Sequence, residues 1–494
     1  MHLLPLANLQ LWLTPLWMVS LGVTIAVALL LAVYALIWLF ARPTAERMAV
    51  SFNEGMLQLI GYVLGAFLVI FVLGAATAPR ELVLDSFRRL PYVGEESVTV
   101  EIPANTEDFE VTDVSFQAEE LTGYKFTSDQ DVRVGIEPGQ AYKQAMVVLG
   151  GEEEGYEWAP GSKNMRGFVG RVDKLYVTNE GDAPAELTMD FATDVRIPEV
   201  HHVWTTVIAV LSVFAIYFAL QWLLPAVSNI SVATAKEAVG QPLFLLFLMI
   251  GAAALLIYIV IPYNTFGEDV KMLKDSGLTT IMVLAMIFAM WTASATVAEE
   301  IEGKTALTLL SKPISRRQFI IGKYLGILWP VLVMFVVLGP ILMACVSYKV
   351  VYDARETSNP QPKWEECYYE MSQVPTGLTL AFMETAILAA ISVAISTRLP
   401  MMPNLIICGS IYVLGHLGPL IVQSSIGQIE FVAFFGRLIS VVIPNLDNLN
   451  IQAAIAAGVP VPPVYLWMAA GYTVLYCTAA MLLALLLFED RDVA

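Results

Sequence analysis

Residues 298–305, AEEIEGKT, end in Gly303, Lys304 and Thr305, the last three positions of a phosphate-binding P-loop. Such a loop cradles phosphate in backbone N–H groups, opens on a glycine and follows a buried strand. Here Ala298 stands where the first glycine belongs, Glu299, Glu300 and Glu302 fill the middle with negative charge, and no apolar strand precedes. The string is therefore not read as a nucleotide site. The acidic run GGEEEGYEW at 150–158 invites a cation reading, but Glu152, Glu153 and Glu154 are consecutive, and in extended chain they point to alternate sides with no His nearby. It reads as a solvated acidic loop. The four histidines, His2, His201, His202 and His416, form no catalytic or metal spacing. His201 and His202 lie at a membrane boundary. His416, in GSIYVLGHLGPLIV, falls at membrane depth, where an ionisable group marks a candidate functional site, set against a neutral ring bonded to a backbone carbonyl. Cys408 and Cys477 sit in apolar helices as packing residues, and Cys345 and Cys367 fall on one side of the membrane, where pairing depends on their separation.

These residues are carried by a polytopic membrane chain. Of 494 residues 57% are hydrophobic, and the mean hydropathy is +0.67, above the apolar share of about 45–50% in soluble domains. Apolar runs long enough to cross about 30 Å of hydrocarbon occur near 17–40, 56–77, 203–224, 243–262, 278–297, 325–346, 377–396, 404–423 and 465–487, so about nine transmembrane helices are expected. Between the fifth and sixth runs, Lys304, Lys312, Arg316, Arg317 and Lys323 make the most basic short loop of the chain, which the positive-inside rule places in the cytoplasm. Counting helices from that anchor puts residues 78–202 and the N-terminus outside and the C-terminus inside. The first run lacks a basic start and a small-residue cleavage site, and is read as a retained helix with Trp12 and Trp17 at one interface and Trp38 at the other.

The basic loop has internal stop and start signals. The preceding helix runs to Glu302, where Gly303 weakens it; KTALTLLSK puts Ala306, Leu309 and Leu310 on one helical face; Pro313 ends that piece. Ser315 with Gln318 three residues on has the form of a capping box, which starts a new helix with Arg316 and Arg317 in its first turn.

In its order of residues, EEIEGKTALTLLSKPISRRQFIIGKYLG resembles the charged loop between the second and third helices of ABC-2 type ATP-binding cassette transporter permeases. The resemblance extends over residues 228–494. In that family the loop seats in a groove of a separate ATPase subunit. The resemblance thus assigns coupling to Glu299, Glu300, Glu302, Gly303, Lys304, Leu309, Leu310, Lys312, Pro313, Ser315, Arg316, Arg317, Gln318 and Lys323. NISVATAKEAVGQPLF resembles the family's connecting helix, with its charge pair at Lys236 and Glu237. IPNLDNLNIQAAIAAG, with Pro444, Asn445 and Asp447, is similar to the extracytoplasmic segment of the copper-enzyme maturation and gliding-motility subgroup. The resemblance implies a six-helix permease unit, a dimer of such units around one path, export, and ATP with magnesium bound by a partner ATPase rather than by this chain, which has no Walker A sequence.

Residues 78–202 are different in kind. SVTVEIP and LTMDF alternate, putting Val98, Val100 and Ile102 on one face and Leu187, Met189 and Phe191 on another, and LYVTNEGDAPAELTMDF reads as two strands joined by a Gly-Asp turn. An extracytoplasmic β-sandwich is expected, with Trp158, Phe168 and Phe191 in its core. This segment holds 25 acidic and 11 basic side chains, −14 of the chain's formal −18, which argues for solubility and against nucleic acid or anionic lipid as partners. The resulting organisation is two membrane helices in 1–77, the sandwich in 78–202, a third helix and linker in 203–227, and the permease unit in 228–494. The expected partners are a cytoplasmic ATPase, a second permease unit, the lipid bilayer and an extracytoplasmic accessory protein. The rival reading is an envelope sensor or assembly scaffold in which the sandwich binds a ligand and the helices anchor it.

Overall fold

The computed structural model describes residues 9–54, 57–139, 146–150, 155–162, 164, 166–261, 268–302, 314–356, 360–423, 434 and 443–489. They divide into two compact units, one built from Met1–Ala78 with Val203–Ala494 and one from Pro79–His202.

The second unit opens on the chain's fourth helix, α4 (Arg80–Arg89), followed among the described residues by ten strands: β1 (Glu95–Ile102), β2 (Thr106–Val111), β3 (Phe116–Gln117), β4 (Leu121–Ser128), β5 (Val132–Gly135), β6 (Met146–Val148), β7 (Tyr156–Trp158), β8 (Arg171–Val172), β9 (Leu175–Asn179) and β10 (Ala185–Thr193). They form antiparallel sheets ordered β1-β10-β4-β7 and β2-β9-β5-β6, with β3 and β8 as a short pair. Period-two alternation puts Leu187, Met189 and Phe191 of β10 inward, where they share one core with Phe126 of the same sheet and with Val132, Val134, Val148 and Val177 of the other. Phe168 is in that core, and Trp158 packs against it half-buried. Two sheets over one core make the sandwich. The Gly-Asp turn does not close a hairpin: β9 and β10 lie in different sheets, so the turn carries the chain across the sandwich. Asn179 organises the crossing, accepting from Gly181 N–H at 2.9 Å and donating to Ala183 O at 2.9 Å. Arg89 clamps α4 through a two-pronged bond to the buried Glu120 at 2.9 and 2.5 Å, which holds its guanidinium above the ordinary range.

The first unit is helical: α1 (Leu9–Phe40), α2 (Arg42–Glu54), α3 (Leu57–Gly74), α5 (His201–Leu223), α6 (Pro225–Gly240), α7 (Pro242–Val260), α8 (Asp269–Ala293), α9 (Arg316–Glu356), α10 (Trp364–Ser372), α11 (Val374–Ser396), α12 (Met401–Gln423), α13 (Gln452–Ala456) and α14 (Pro463–Glu489). Among the described residues eight helical stretches are long and apolar enough to cross a membrane: Leu9–Phe40, Leu57–Gly74, Pro198–Leu223, Pro242–Val260, Asp269–Ala298, Arg316–Glu356, Trp364–Ser396 and Pro463–Glu489. The ninth expected run is α12, with a shorter apolar stretch at Met401–Leu417. This is a multi-pass membrane protein. The first run starts eight residues earlier than expected, which takes Trp17 two turns into α1; it is buried and stacks on Phe71 at 6.0 Å, rather than marking an interface. Trp38 is exposed, with the Arg42 guanidinium 5.5 Å over its ring.

Candidate coupling and transport site

At the end of the bundle that carries the charged loop, α8 continues through a π turn, Ser294–Ala298, into a last helical turn, Glu299–Glu302. Gly303, Lys304, Leu309, Leu310, Lys312 and Pro313 lie outside the described residues, as do Glu152, Glu153 and Glu154. On the far side of the loop the capping box is present: Ser315 N–H donates to Gln318 Oε1 at 3.0 Å, and Gln318 N–H donates to Ser315 Oγ at 3.2 Å. Arg316 donates to the carbonyls of Phe488 and Glu489, at 3.4 and 3.0 Å, tying the start of α9 to the last turn of α14. Arg317 and Glu299 are exposed.

Lys323 is buried two turns further along α9, and its ammonium bonds Glu300 at 2.5 Å. The two ends of the loop are thereby joined by one charge pair. On either side of Lys323, Gly322 and Gly326 form a small-xxx-small face against α6. A Cβ on Gly326 would lie 2.6 Å from Thr234 Cβ, and one on Gly322 would lie 2.7 Å from Ile230 Cβ. The connecting helix α6 thus packs on α9 at backbone-to-side-chain contact and leaves Lys236 and Glu237 exposed on its other face.

The π turn has its own anchor. The fully buried Asn404 of α12 donates toward Ser294 Oγ at 2.8 Å, Ser392 Oγ at 2.8 Å and Ser396 Oγ at 2.9 Å, and accepts from the Cys408 thiol at 3.3 Å. One amide therefore connects α8, α11 and α12 where α8 departs from regular helix.

Toward the opposite end, His416 of α12 bonds not to a carbonyl but to a carboxylate: its Nε2 lies 2.8 Å from Oε1 of Glu384, a side chain 1% exposed in α11. Gly415 O accepts from Leu446 N–H at 3.3 Å, and Asn445 N–H donates to Tyr472 Oη at 2.9 Å. Pro444 and Asn445 thus sit against α12 and α14, whereas Asp447 is exposed. The segment continues into α13, where Gln452 accepts from Thr279 Oγ1 at 2.6 Å. The Ile455 carbonyl accepts from the fully buried Lys274 at 3.2 Å, alongside Glu370 at 2.7 Å and Gln373 at 3.0 Å. Irregular backbone packed this way is buried in protein rather than facing lipid. Asp269, Asp353 and Glu356 bring carboxylates within 4.8 Å of one another, but the buried Lys349 ammonium sits among them, 3.0 Å from Asp353 and 3.5 Å from Asp269. That cluster carries its own cation. Cys345 and Cys367 are buried and free.

Glu384, Asn404, Lys274, Lys349 and the Gly322/Gly326 face escaped the sequence reading. Ionisable and amide side chains inside apolar runs were the available signal for Glu384 and Asn404, and the G-x-x-x-G spacing in GKYLG for the glycine face; Lys274 and Lys349 fall just outside the apolar runs and gave none. The sandwich separately bears a groove of about 610 Å³ on its first sheet, lined by Glu95, Glu157, Asp190, Lys125 and Trp158 among others.

No curated protein matches the chain. Residues 235–415 match the family model described as ABC-2 family transporter protein, an interval that takes in the C-terminal end of α6, all of α7 to α11 and α12 as far as Gly415, and stops short of the Pro444–Asp447 segment that carried the subgroup likeness. The basic loop, the helices it joins and the end of the connecting helix that carries Lys236 and Glu237 thus lie within that interval, and the chain carries an ABC-2 family permease domain.

Proposed function

We propose that this chain is the membrane-spanning half of an exporter whose work is done by a separate ATPase gripping residues 299–323, with two permease units forming one path. The permease domain itself is a transport subunit with no ATPase domain of its own. The observation that most supports coupling is the Glu300–Lys323 pair. It joins the two ends of the loop at the point where α9 is packed tightly on α6, so a push on the loop is passed to two helices rather than absorbed. The π turn beside it, held by Asn404, supplies a place where α8 can change its winding; such turns recur at functional hinges. Movement of this kind shifts a population only if the ATPase contacts differ between the two states.

The loop's apolar face is tested by Leu309→Asp with Leu310→Asp, which buries unpaired charge in the contact with the ATPase. Co-purification of the ATPase should be lost while membrane insertion is kept; undiminished recovery of the ATPase would refute the coupling role.

For orientation, we place the loop and the C-terminus in the cytoplasm and the sandwich outside, supported by the clustering of Lys and Arg in the loop. A cysteine at Asp182 is expected to react with a membrane-impermeant thiol reagent on intact cells, and one at Ser315 only after permeabilisation, each compared with the unsubstituted chain. The reverse labelling pattern inverts the assignment. In this orientation the sandwich is extracytoplasmic, and its groove is suited to receive a substrate or an envelope partner.

A further inference from the structure

We propose that Glu384 and His416 form a proton-binding site within the permease helices, loaded through the imidazole. Glu384 lies ten residues into the 23-residue helix α11 and is buried. One carboxylate oxygen, Oε1, is 2.8 Å from His416 Nε2, while the other, Oε2, is buried without a hydrogen-bond partner. A carboxylate oxygen left so in an apolar interior is costly. A proton on Oε1 removes the charge and turns Oε2 into the carbonyl oxygen of a neutral acid, a weaker acceptor that costs less to leave unpaired.

The ligand class follows from access. The carboxyl group is buried, so a proton reaches it through the ring without displacing a helix, whereas an amine or a metal ion does not. His416 is the entrance: its side chain is 16% exposed, against 1% for Glu384. The step is a transfer from Nε2–H of the imidazolium to the carboxylate, leaving a neutral ring and a neutral acid; the bond to nitrogen breaks as the bond to oxygen forms, and no other reactant is needed. The surroundings keep the pair isolated. From α12 the Tyr412 ring meets His416 edge-on at 4.7 Å. From α9 the Tyr324 hydroxyl is committed to Ala386 O at 3.3 Å, and α14 brings Tyr472, Tyr476 and Cys477. The neighbouring stretch of α8, Val283–Ile287, is apolar. The three buried lysines of the unit, Lys274, Lys323 and Lys349, are paired with Glu370, with Glu300, and with Asp269 and Asp353. Among the described residues His416 is the cationic group bonded to Glu384, so the charge of the site is set by protons.

The full-length protein in lipid nanodiscs, with no ATPase present, tests this by infrared difference spectroscopy between about pH 5 and about pH 9, the range in which imidazole exchanges protons. A carbonyl band of a protonated, non-hydrated carboxyl group is expected to change with pH in the parent. It should vanish in Glu384→Gln and lose its pH dependence in His416→Gln, which lacks the base that exchanges the proton. If Glu384→Gln is not recovered folded, the His416→Gln spectrum decides. A parent spectrum with no such band, or a band equally pH-dependent in His416→Gln, overturns the proposal. Because neither ATPase nor substrate is present, this result stands or falls apart from the coupling assignment.

Discussion

Glu370→Ala is expected to lower the stability of the folded chain by about 3 kcal/mol, because it strands a buried ammonium. Lys274 is fully buried, and Glu370 is the one charge bonded to it. Removing one partner of a buried pair costs about 3–5 kcal/mol, and the low end applies here since Gln373 Oε1 and Ile455 O remain as neutral acceptors at 3.0 and 3.2 Å. The reverse change, Lys274→Met, should cost less. Its stranded partner, Glu370, keeps a side chain 30% exposed and retains access to water, while the methionine fills the vacated apolar space. Thermal unfolding of the purified variants, followed by a thiol-reactive dye that reports exposure of the buried cysteines, should rank parent above Lys274→Met above Glu370→Ala. Equal melting of the two variants would mean that the pair is solvated and that α10, α8 and the Ile455 turn are not held together by charge.

That ranking could not have been written from the sequence, and the reason is physical. Apolar runs of the length of a bilayer declare helices whatever their neighbours, so the helices, the capping box at Ser315 and Gln318 and the alternation in β10 were all legible locally. Period-two burial also located the sandwich. The partners of lysines and carboxylates inside those helices were not, because Lys274 meets Glu370 and Ile455 across 96 and 181 residues of chain. A lone Glu384 in an apolar run signals that a partner exists without saying that it is His416. The crossing from β9 to β10 failed for a similar reason: a turn sequence states that the chain reverses, and which sheet receives the next strand is decided by the core. The π turn left no trace in composition either, since its stabilisation comes from Asn404, on a helix two crossings away.

Glu300→Ala is expected to leave the ATPase bound and hydrolysing while cutting the conformational response of the permease to ATP by about tenfold, the order of a typical coupling free energy of about 1–3 kcal/mol. Glu300 lies in the last turn of the helix that enters the loop and Lys323 stands two turns inside the helix that leaves it, so their bond makes the loop a closed, stiff unit. Without the carboxylate the buried Lys323 ammonium loses its ionic partner, and the entering helix can move without dragging α9. Since α9 touches α6 at Gly322 and Gly326, the loss extends to the connecting helix as well. A fluorophore on a cysteine placed at the exposed Asp447, far along the chain from the loop, reads the response without knowledge of the substrate. Exchanging the pair, Glu300→Lys with Lys323→Glu, should restore part of the signal, because the attraction survives the swap even though the two sites differ in burial, 20% against 4% exposed. This separates the pair from the apolar face at Leu309 and Leu310, whose loss is expected to abolish ATPase binding itself. A full fluorescence response in Glu300→Ala would show that the loop's push reaches the helices by another route, through the π turn and Asn404 rather than through the charge pair.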